Sequence, residues 1–561
     1  MIEEILEKRI EKALRELSYP SDTHILIERP RDPRYGDYAT PIAFALAKRF
    51  GENPSSIAEK ILSVIQLDRK EVKEISVAGG GFINFTLSKD YYISELYKIF
   101  DQGKEYGKMD LGKGEKVIVE FVSSNPTGPL TVGHGRQAVL GDVLSNILSE
   151  TGFQVSREYY FNDAGRQMDL LGKSCFARYM QEFDPSYEFP DGGYAGDYLI
   201  DIARKAVNEY GDRFARAHGE EREGAIGVMR EFASREIVST IDADLRKMGI
   251  KFDSWFNESS LLREGKVEEA IDMLKKAGAA YEKEGALWFR ASEYGDEEDR
   301  VLIKSNGDPT YFMTDIAYHI NKHERDFPLM INIHGADHHG YVPRMKAAMK
   351  ALGFPEDSLR YLVHQMVTFI EGGEKMKMST RAGAFVTLRE LMEKVGVDST
   401  RYFFVMRRAD SHLVFDIDLA KKRNLENPVF YVQYAYARIS NVFDFARSRG
   451  IDINCTSLRE GFDAGHLAHD DEWTLVRLLS DYPAVLKSAA THLEPHRLTG
   501  YLEEVAGAFH HWYQTGDREH DLRIVTEELP TTKSRLFLSS CAMNIISKGL
   551  TLLGVSLPAR M

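Results

Sequence analysis

From residue 116 the chain alternates between short apolar runs and amphipathic segments, and this rhythm restricts the fold more than any other feature. Residues 117–122 form an apolar strand candidate, 137–151 a helix and 155–161 a second strand. That order builds a parallel sheet with crossover helices on its faces. The rhythm breaks over about 175–295, a charged and largely helical stretch in which Glu220-Glu221-Arg222-Glu223 reads as a solvated face. It returns at 301–304, 329–333 and 362–370. The expected core is a Rossmann-type sheet split by an insertion. Ligands bind such sheets beyond the carboxyl ends of the strands, where chain direction switches.

Different patterns flank this core, so the chain reads as multidomain α/β. Residues 1–110 read as an α+β unit. It opens with an amphipathic helix, apolar at 2, 5, 6, 10, 13, 14 and 17, and adds a second helix over 41–50. A Gly79-Gly80-Gly81 turn then leads into the strand-like Phe82-Ile83-Asn84-Phe85. Asp101 to Gly114, rich in Gly, Lys and Asp, resembles a linker into a core of 111–420. Beyond it, Val429, Val432, Tyr436, Ile439 and Phe443 recur at steps of three and four. Similar spacing over 472–512 and 532–554 makes 421–561 an all-α bundle. No apolar run reaches the roughly 18 residues of a membrane span, and the charged N-terminal helix is unlike a signal peptide. Cys175, Cys455 and Cys541 have no ligand spacing and are expected as buried free thiols in a cytoplasmic protein. The net charge of −14 does not exclude a nucleic-acid partner, because local patches such as Lys421-Lys422-Arg423 and Arg407-Arg408 decide that.

Two short segments carry phosphate chemistry. Val132-Gly133-His134-Gly135-Arg136 follows a strand and a Pro/Gly turn and opens a helix, where backbone N–H groups and an imidazole can meet an anion. Gly133 and Gly135 lack a β-carbon, so a flat base could stack on the backbone there. Lys377-Met378-Ser379-Thr380-Arg381, with Gly372-Gly373 before it and Gly383 after it, is a cationic loop able to close on a triphosphate. Glu120, Ser123 and Asn125 sit at a strand's carboxyl end, where a glutamate needs a partner to offset desolvation. Asp315 reads either as the N-cap of a helix over 316–323 or, with Tyr311 and Glu120, as an anionic pocket for a cationic ligand. His334-Gly335-Ala336-Asp337-His338-His339-Gly340 suits polar contacts to a sugar or base better than a metal.

The chain resembles the bacterial-type arginyl-tRNA synthetases, members of class I of the aminoacyl-tRNA synthetases. Ser124-Asn125-Pro126-Thr127-Gly128-Pro129-Leu130-Thr131-Val132-Gly133-His134 is similar to that class's HIGH region, and Lys377–Arg381 to its KMSKS loop. Gly36-Asp37-Tyr38-Ala39-Thr40, Asn162-Asp163-Ala164-Gly165, Asn427-Pro428 and the closing Pro558-Ala559-Arg560-Met561 extend the likeness over the whole chain. The resemblance implies adenylation of arginine by ATP and Mg²⁺, then transfer to tRNA(Arg), by a cytoplasmic monomer with no structural metal. It implies a tRNA-contacting N-terminal domain and an anticodon-binding C-terminal one. His134, Lys377 and Arg381 would be catalytic. Thr131, Gly133, His134, Gly135, Gly335, Asp337, His338, Met378 and Ser379 would bind ATP, and Glu120, Ser123, Asn125, Tyr311 and Asp315 arginine. Glu120 would hold the α-amino group and Asp315 the guanidinium, although these two roles can be exchanged. Two departures stand out: Thr131 replaces the class's usual first histidine, and Thr380-Arg381 its Lys-Ser ending. Nucleotidylyltransferases share the HIGH-type fold but lack the helical C-terminal domain. A tRNA-binding paralogue without catalysis would fit the two departures.

Overall fold

Val117, Ile118 and Val119 have no exposed surface, as strand residues do when helices cover both faces of a parallel sheet. The computed structural model describes every residue except Ser21, Arg31, Ala164 and 377–386, and of Pro33 only the backbone. The expectations for Lys377, Met378, Ser379, Thr380, Arg381 and Gly383 therefore lie outside the described residues. Five strands form the central sheet: β1 (Lys116–Glu120), β2 (Gln154–Phe161), β3 (Ser254–Asn257), β4 (Leu329–Gly335) and β5 (Leu359–His364). All neighbours pair in parallel, in the order β5-β4-β1-β2-β3. The chain winds one way from β1 and returns to its other side at β4, so the switch point lies between those strands. Helix α1 (Val132–Glu150) follows β1, α2 (Tyr311–Glu324) precedes β4, and α3 (Tyr341–Ala351) follows it.

The structure corrects the sequence expectations at several places. Helix α1 starts at Val132 rather than 137, because the backbone N–H of Thr131 donates to His134 Nδ1 at 3.1 Å and offsets the two glycines of its first turn. Residues 300–303 do not join the central sheet; they pair antiparallel with Ala286–Phe289 in a separate three-stranded sheet. The run 362–370 is two strands. Gln365 sends its N–H to Ala409 and its carbonyl to Arg136, so β5 ends at His364, and Val367–Glu371 pairs with Leu413–Asp416 instead. The expected insertion is likewise divided. Helices Arg166–Gln181, Asp197–Tyr210 and Glu220–Lys247 separate β2 from β3, but β3 itself belongs to the sheet.

The flanking units match their patterns. Ile2, Leu6, Ile10, Ala13 and Leu14 bury one face of helix Ile2–Glu16, beside an antiparallel sheet of Tyr38–Thr40, Phe82–Leu87 and Val72–Ala78. The segment after helix Lys89–Gln102 is packed rather than free: Lys548 donates to the carbonyls of Lys104 and Tyr106, each at 2.6 Å. Beyond 428 the long elements are helical, and Val429, Val432, Ile439 and Phe443 are buried. Helix Leu529–Leu553 is long enough to cross a membrane and contains an 18-residue window of mean hydropathy 1.4, but 72% of that window is buried inside the protein. Cys175 and Cys541 are buried, whereas Cys455 opens a short surface helix and is exposed. Arg401 ties the units to α1, donating to Asp142 at 2.5 Å and to the carbonyls of Leu553 and Met248 at 2.7 and 2.8 Å. Removing one partner of so enclosed a pair costs about 3–5 kcal/mol.

Candidate active site

Beyond Glu120 the chain leaves β1 through Val122 and Ser123, both non-glycine residues at positive φ (69° and 41°). Such strain persists only where the surroundings impose it. Here Tyr159 Oη donates to Ser124 O at 2.9 Å, and Tyr198 Oη, from an inserted helix, donates to Thr127 O at 2.6 Å. Held this way, the turn delivers Thr131 to the N-terminus of α1, whose first N–H groups have no intrahelical partner. His134 Nδ1 accepts from Thr131 N, so the ring carries its proton on Nε2. Burial lowers its pKa to about 4. It is thus an uncharged donor beside a positive helix end.

The two glycines differ. A β-carbon on Gly133 would meet only Thr131 Oγ1, at 3.6 Å, whereas one on Gly135 would press on Leu388 Cδ1 at 2.6 Å and Phe404 Cε2 at 3.0 Å. Gly133 leaves open space for a base, but Gly135 is packed against the interior, which corrects its expected stacking role. Arg136 is also structural, its guanidinium enclosed by the carbonyls of Gln365, Arg408 and Ser411. Thr387 bridges Thr131, and Leu388 N donates to Leu130 O.

At the end of β4, His334 is half-buried, with its Nδ1 buried and unpaired, its ring 5.1 Å from that of His338 and 5.4 Å from that of Tyr361. Its pKa is lowered to about 4, first by burial. His364, closing β5, has its Nε2 buried and unpaired, and burial lowers its pKa to about 4 as well. Gly335, Asp337 and His338 line the same edge, Asp337 and His338 being exposed. Among the described residues no three His, Cys, Asp or Glu side chains are arranged to hold a metal.

On the other side of the switch point, Thr310 caps α2, so Asp315 lies in its second turn and is not the cap. Tyr311 is 68% exposed, and the carboxylate of Asp315 instead accepts from Tyr341, the first residue of α3. Asp315 has no cationic partner within ion-pair distance among the described residues. Burial raises its pKa to about 7, helped by Glu120 and Glu258 and opposed by Tyr341 and Lys322. Glu120 behaves oppositely. Burial would raise it too, but the ammonium of Lys322, 2.6 Å from Oε2, prevails and holds it at about 2. Ser123 Oγ donates to the other oxygen at 3.0 Å, and Asn125 Nδ2 donates to Gln167 at 2.7 Å. Ser123 is thus joined to Glu120 by a hydrogen bond, and Asp315 lies near enough to Glu120 for their charges to interact. Tyr341 and Lys322 were not singled out from the sequence. The available signal was the spacing of Asp315, His319 and Lys322 on one helix face.

Three family descriptions match the chain: Arginyl tRNA synthetase N terminal domain over residues 4–87, tRNA synthetases class I (R), catalytic domain over 95–402, and DALR anticodon binding domain over 432–561. The arginine–tRNA ligase of Citrifermentans bemidjiense is 44% identical over 538 residues, 96% of this chain and 95% of that one. That of Desulforudis audaxviator is 45% identical over 563 residues, 100% and 98% of the two chains. The solved arginyl-tRNA synthetase of Thermus thermophilus covers 100% of both chains with a TM-score of 0.78; at 23% identity it speaks to the fold alone.

Proposed function

The chain belongs to the arginyl-tRNA synthetase family, and from that premise we propose which of its residues carry out the ligation of arginine to tRNA. The reaction has two steps. The carboxylate of arginine attacks the α-phosphorus of ATP, giving arginyl-adenylate and diphosphate. The 2′-hydroxyl of the terminal ribose of tRNA(Arg) then attacks the carbonyl carbon, and AMP leaves. Neither step needs a protein nucleophile; alignment and stabilisation of phosphate charge suffice. The α1 N-terminus, Thr131 and the Nε2–H of His134 donate to the phosphates. Lys377 and Arg381 supply positive charge to them, and Met378 and Ser379 also bind ATP. Gly133 receives the base, and Gly335, Asp337 and His338 face the nucleoside. Mg²⁺ enters as the ATP complex, needing few protein ligands because phosphate oxygens and water supply most of its shell.

Arginine lies across the switch point with its guanidinium on Asp315 and Tyr341, next to Glu120, and its α-amino end toward Ser123 and Asn125. One observation carries this reading: among the described residues Asp315 has no cationic ion-pair partner, and burial raises its pKa to about 7. A guanidinium supplies the missing charge in fork geometry. We also propose residues 1–110 as a tRNA-contacting domain, 111–420 as the catalytic domain and 421–561 as the anticodon-binding domain of a cytoplasmic monomer.

The test is pyrophosphate exchange with each of twenty amino acids, with and without tRNA. Arginine alone should support it, and exchange should be weak without tRNA. Asp315→Asn should weaken arginine use by about 3–5 kcal/mol and leave the KM for ATP unchanged. An unaltered arginine KM and kcat in that variant would overturn the assignment.

A further inference from the structure

One row of the central sheet is built against expectation. Tyr361 of β5, Asn332 of β4, Glu120 of β1 and Glu158 of β2 are in register, so their side chains share one face. Asn332 is 1% exposed, Glu120 6% and Glu158 0%, in a layer where parallel sheets are ordinarily apolar. Helix α2 answers with a polar stripe of its own at Asp315, Tyr318, His319 and Lys322, which its pitch places on one face. The two match group by group. Tyr318 Oη donates to Glu158 Oε1 at 2.6 Å, and Arg325 donates to both Glu158 oxygens at 2.6 and 2.8 Å. Asn332 Nδ2 lies 2.7 Å from His319 Nε2, and His319 Nδ1 lies 2.7 Å from Asp315 O. Donation from Asn332 thus leaves the imidazole proton on Nδ1, directed at Asp315 O. Lys322 Nζ donates to Glu120 Oε2 at 2.6 Å and to Asn332 Oδ1 at 3.1 Å, with the face of Tyr318 4.2 Å away.

Lys322 has no exposed surface, and its ammonium is spent on protein groups. Stability alone does not call for it, because a well-packed apolar pair commonly serves a core as well as a buried ion pair. What it does is set the charge of the cleft. Without it, Glu120 and Asp315 would be two carboxylates facing one guanidinium. With it, Glu120 is neutralised and its Oε2 is occupied, leaving Oε1 with Ser123. Building on the arginine site above, we propose that Lys322 is a positioning residue for arginine recognition: it clamps Glu120 so that, of these two carboxylates, Asp315 is the unbalanced one, matched to a single positive charge.

The test is a double-mutant cycle in the full-length enzyme, read as the arginine KM, ATP KM and kcat of tRNA charging. Glu120→Gln and Lys322→Met should each raise the arginine KM about tenfold or more while moving the ATP KM less than about twofold. The double variant, a neutral pair, should be no worse than Glu120→Gln alone, since the introduced amide needs no counter-ion. Additive effects, or a Lys322→Met enzyme whose melting temperature falls while its arginine KM stays put, would overturn the proposal. Should Lys322→Met fail to fold, the neutral pair decides. An arginine KM about equal to that of Glu120→Gln supports the positioning role, and one about tenfold higher refutes it. Asp315→Asn separates the two ideas: if it leaves arginine use intact, the arginine site itself is wrong, whereas additivity in the cycle with an impaired Asp315→Asn removes only the role of Lys322.

Discussion

Arginine binding should release a proton, because the residue that grips the guanidinium is mostly protonated on the acid side of neutrality. Burial raises the pKa of Asp315 to about 7, while an ordinary aspartate ionises near 3.8. The direction follows from charge: the neutral acid predominates below pH 7, and the guanidinium binds the carboxylate. Competent enzyme is therefore lost as pH falls through 7. Apparent affinity scales with the competent fraction, so a pKa of about 7 raises the arginine KM about tenfold between pH 8 and pH 6, or roughly 1.4 kcal/mol. Glu120 ionises at about 2, and His134, His334 and His364 at about 4, so these four groups keep one charge state between pH 6 and pH 8. The assay is the arginine KM for tRNA charging across pH 6 to 8 at saturating ATP, with titration calorimetry of arginine into enzyme and tRNA in two buffers of different ionisation enthalpy. Release approaching about one proton per site at pH 6, shrinking by pH 8, is expected. Asp315→Asn should flatten both profiles. An arginine KM that varies less than about twofold over the range, or net proton uptake, would refute the reasoning.

The glycines of the phosphate site make opposite predictions. Gly135→Ala should lower the melting temperature, the forced contacts with Leu388 and Phe404 costing about 1–3 kcal/mol, whereas Gly133→Ala should fold normally and raise the ATP KM. Equal melting temperatures for the two variants would contradict this division. His134→Ala should reduce kcat by about 10²–10³ with a smaller change in the ATP KM, as loss of one preorganised donor does. Because His134 is neutral above pH 5, this loss should be the same at pH 6 and pH 8; a deficit appearing only at the lower pH would mean that the charged ring is the working form.

How far the sequence disclosed this molecule depended on whether a residue's environment is set by near neighbours or by distant ones. The apolar run 117–122 was legible, because burial on both faces leaves a strand with no alternation to hide it, although the strand itself ends at Glu120. Four-residue β3, Ser-Trp-Phe-Asn at the sheet edge, has no such signature and was lost inside the insertion. The run 362–370 looked continuous because apolar content does not reveal that Arg136, 229 residues away, takes the carbonyl of Gln365. Within the site, charged residues at strand ends announced themselves, but their charge states did not. Glu120 and Asp315 are carboxylates of similar burial, yet one is held ionised and the other near neutrality. The difference is one ammonium, Lys322, that lies 202 positions from Glu120 and only seven from Asp315. Helical spacing places Lys322 on the same face as Asp315, and from that alone it would be paired with Asp315. It reaches Glu120 because β1 and β4 are neighbours at the switch point, where Asn332 and Glu120 stand in register. Strand order, which no local pattern encodes, thus decides which carboxylate stays unbalanced for the guanidinium.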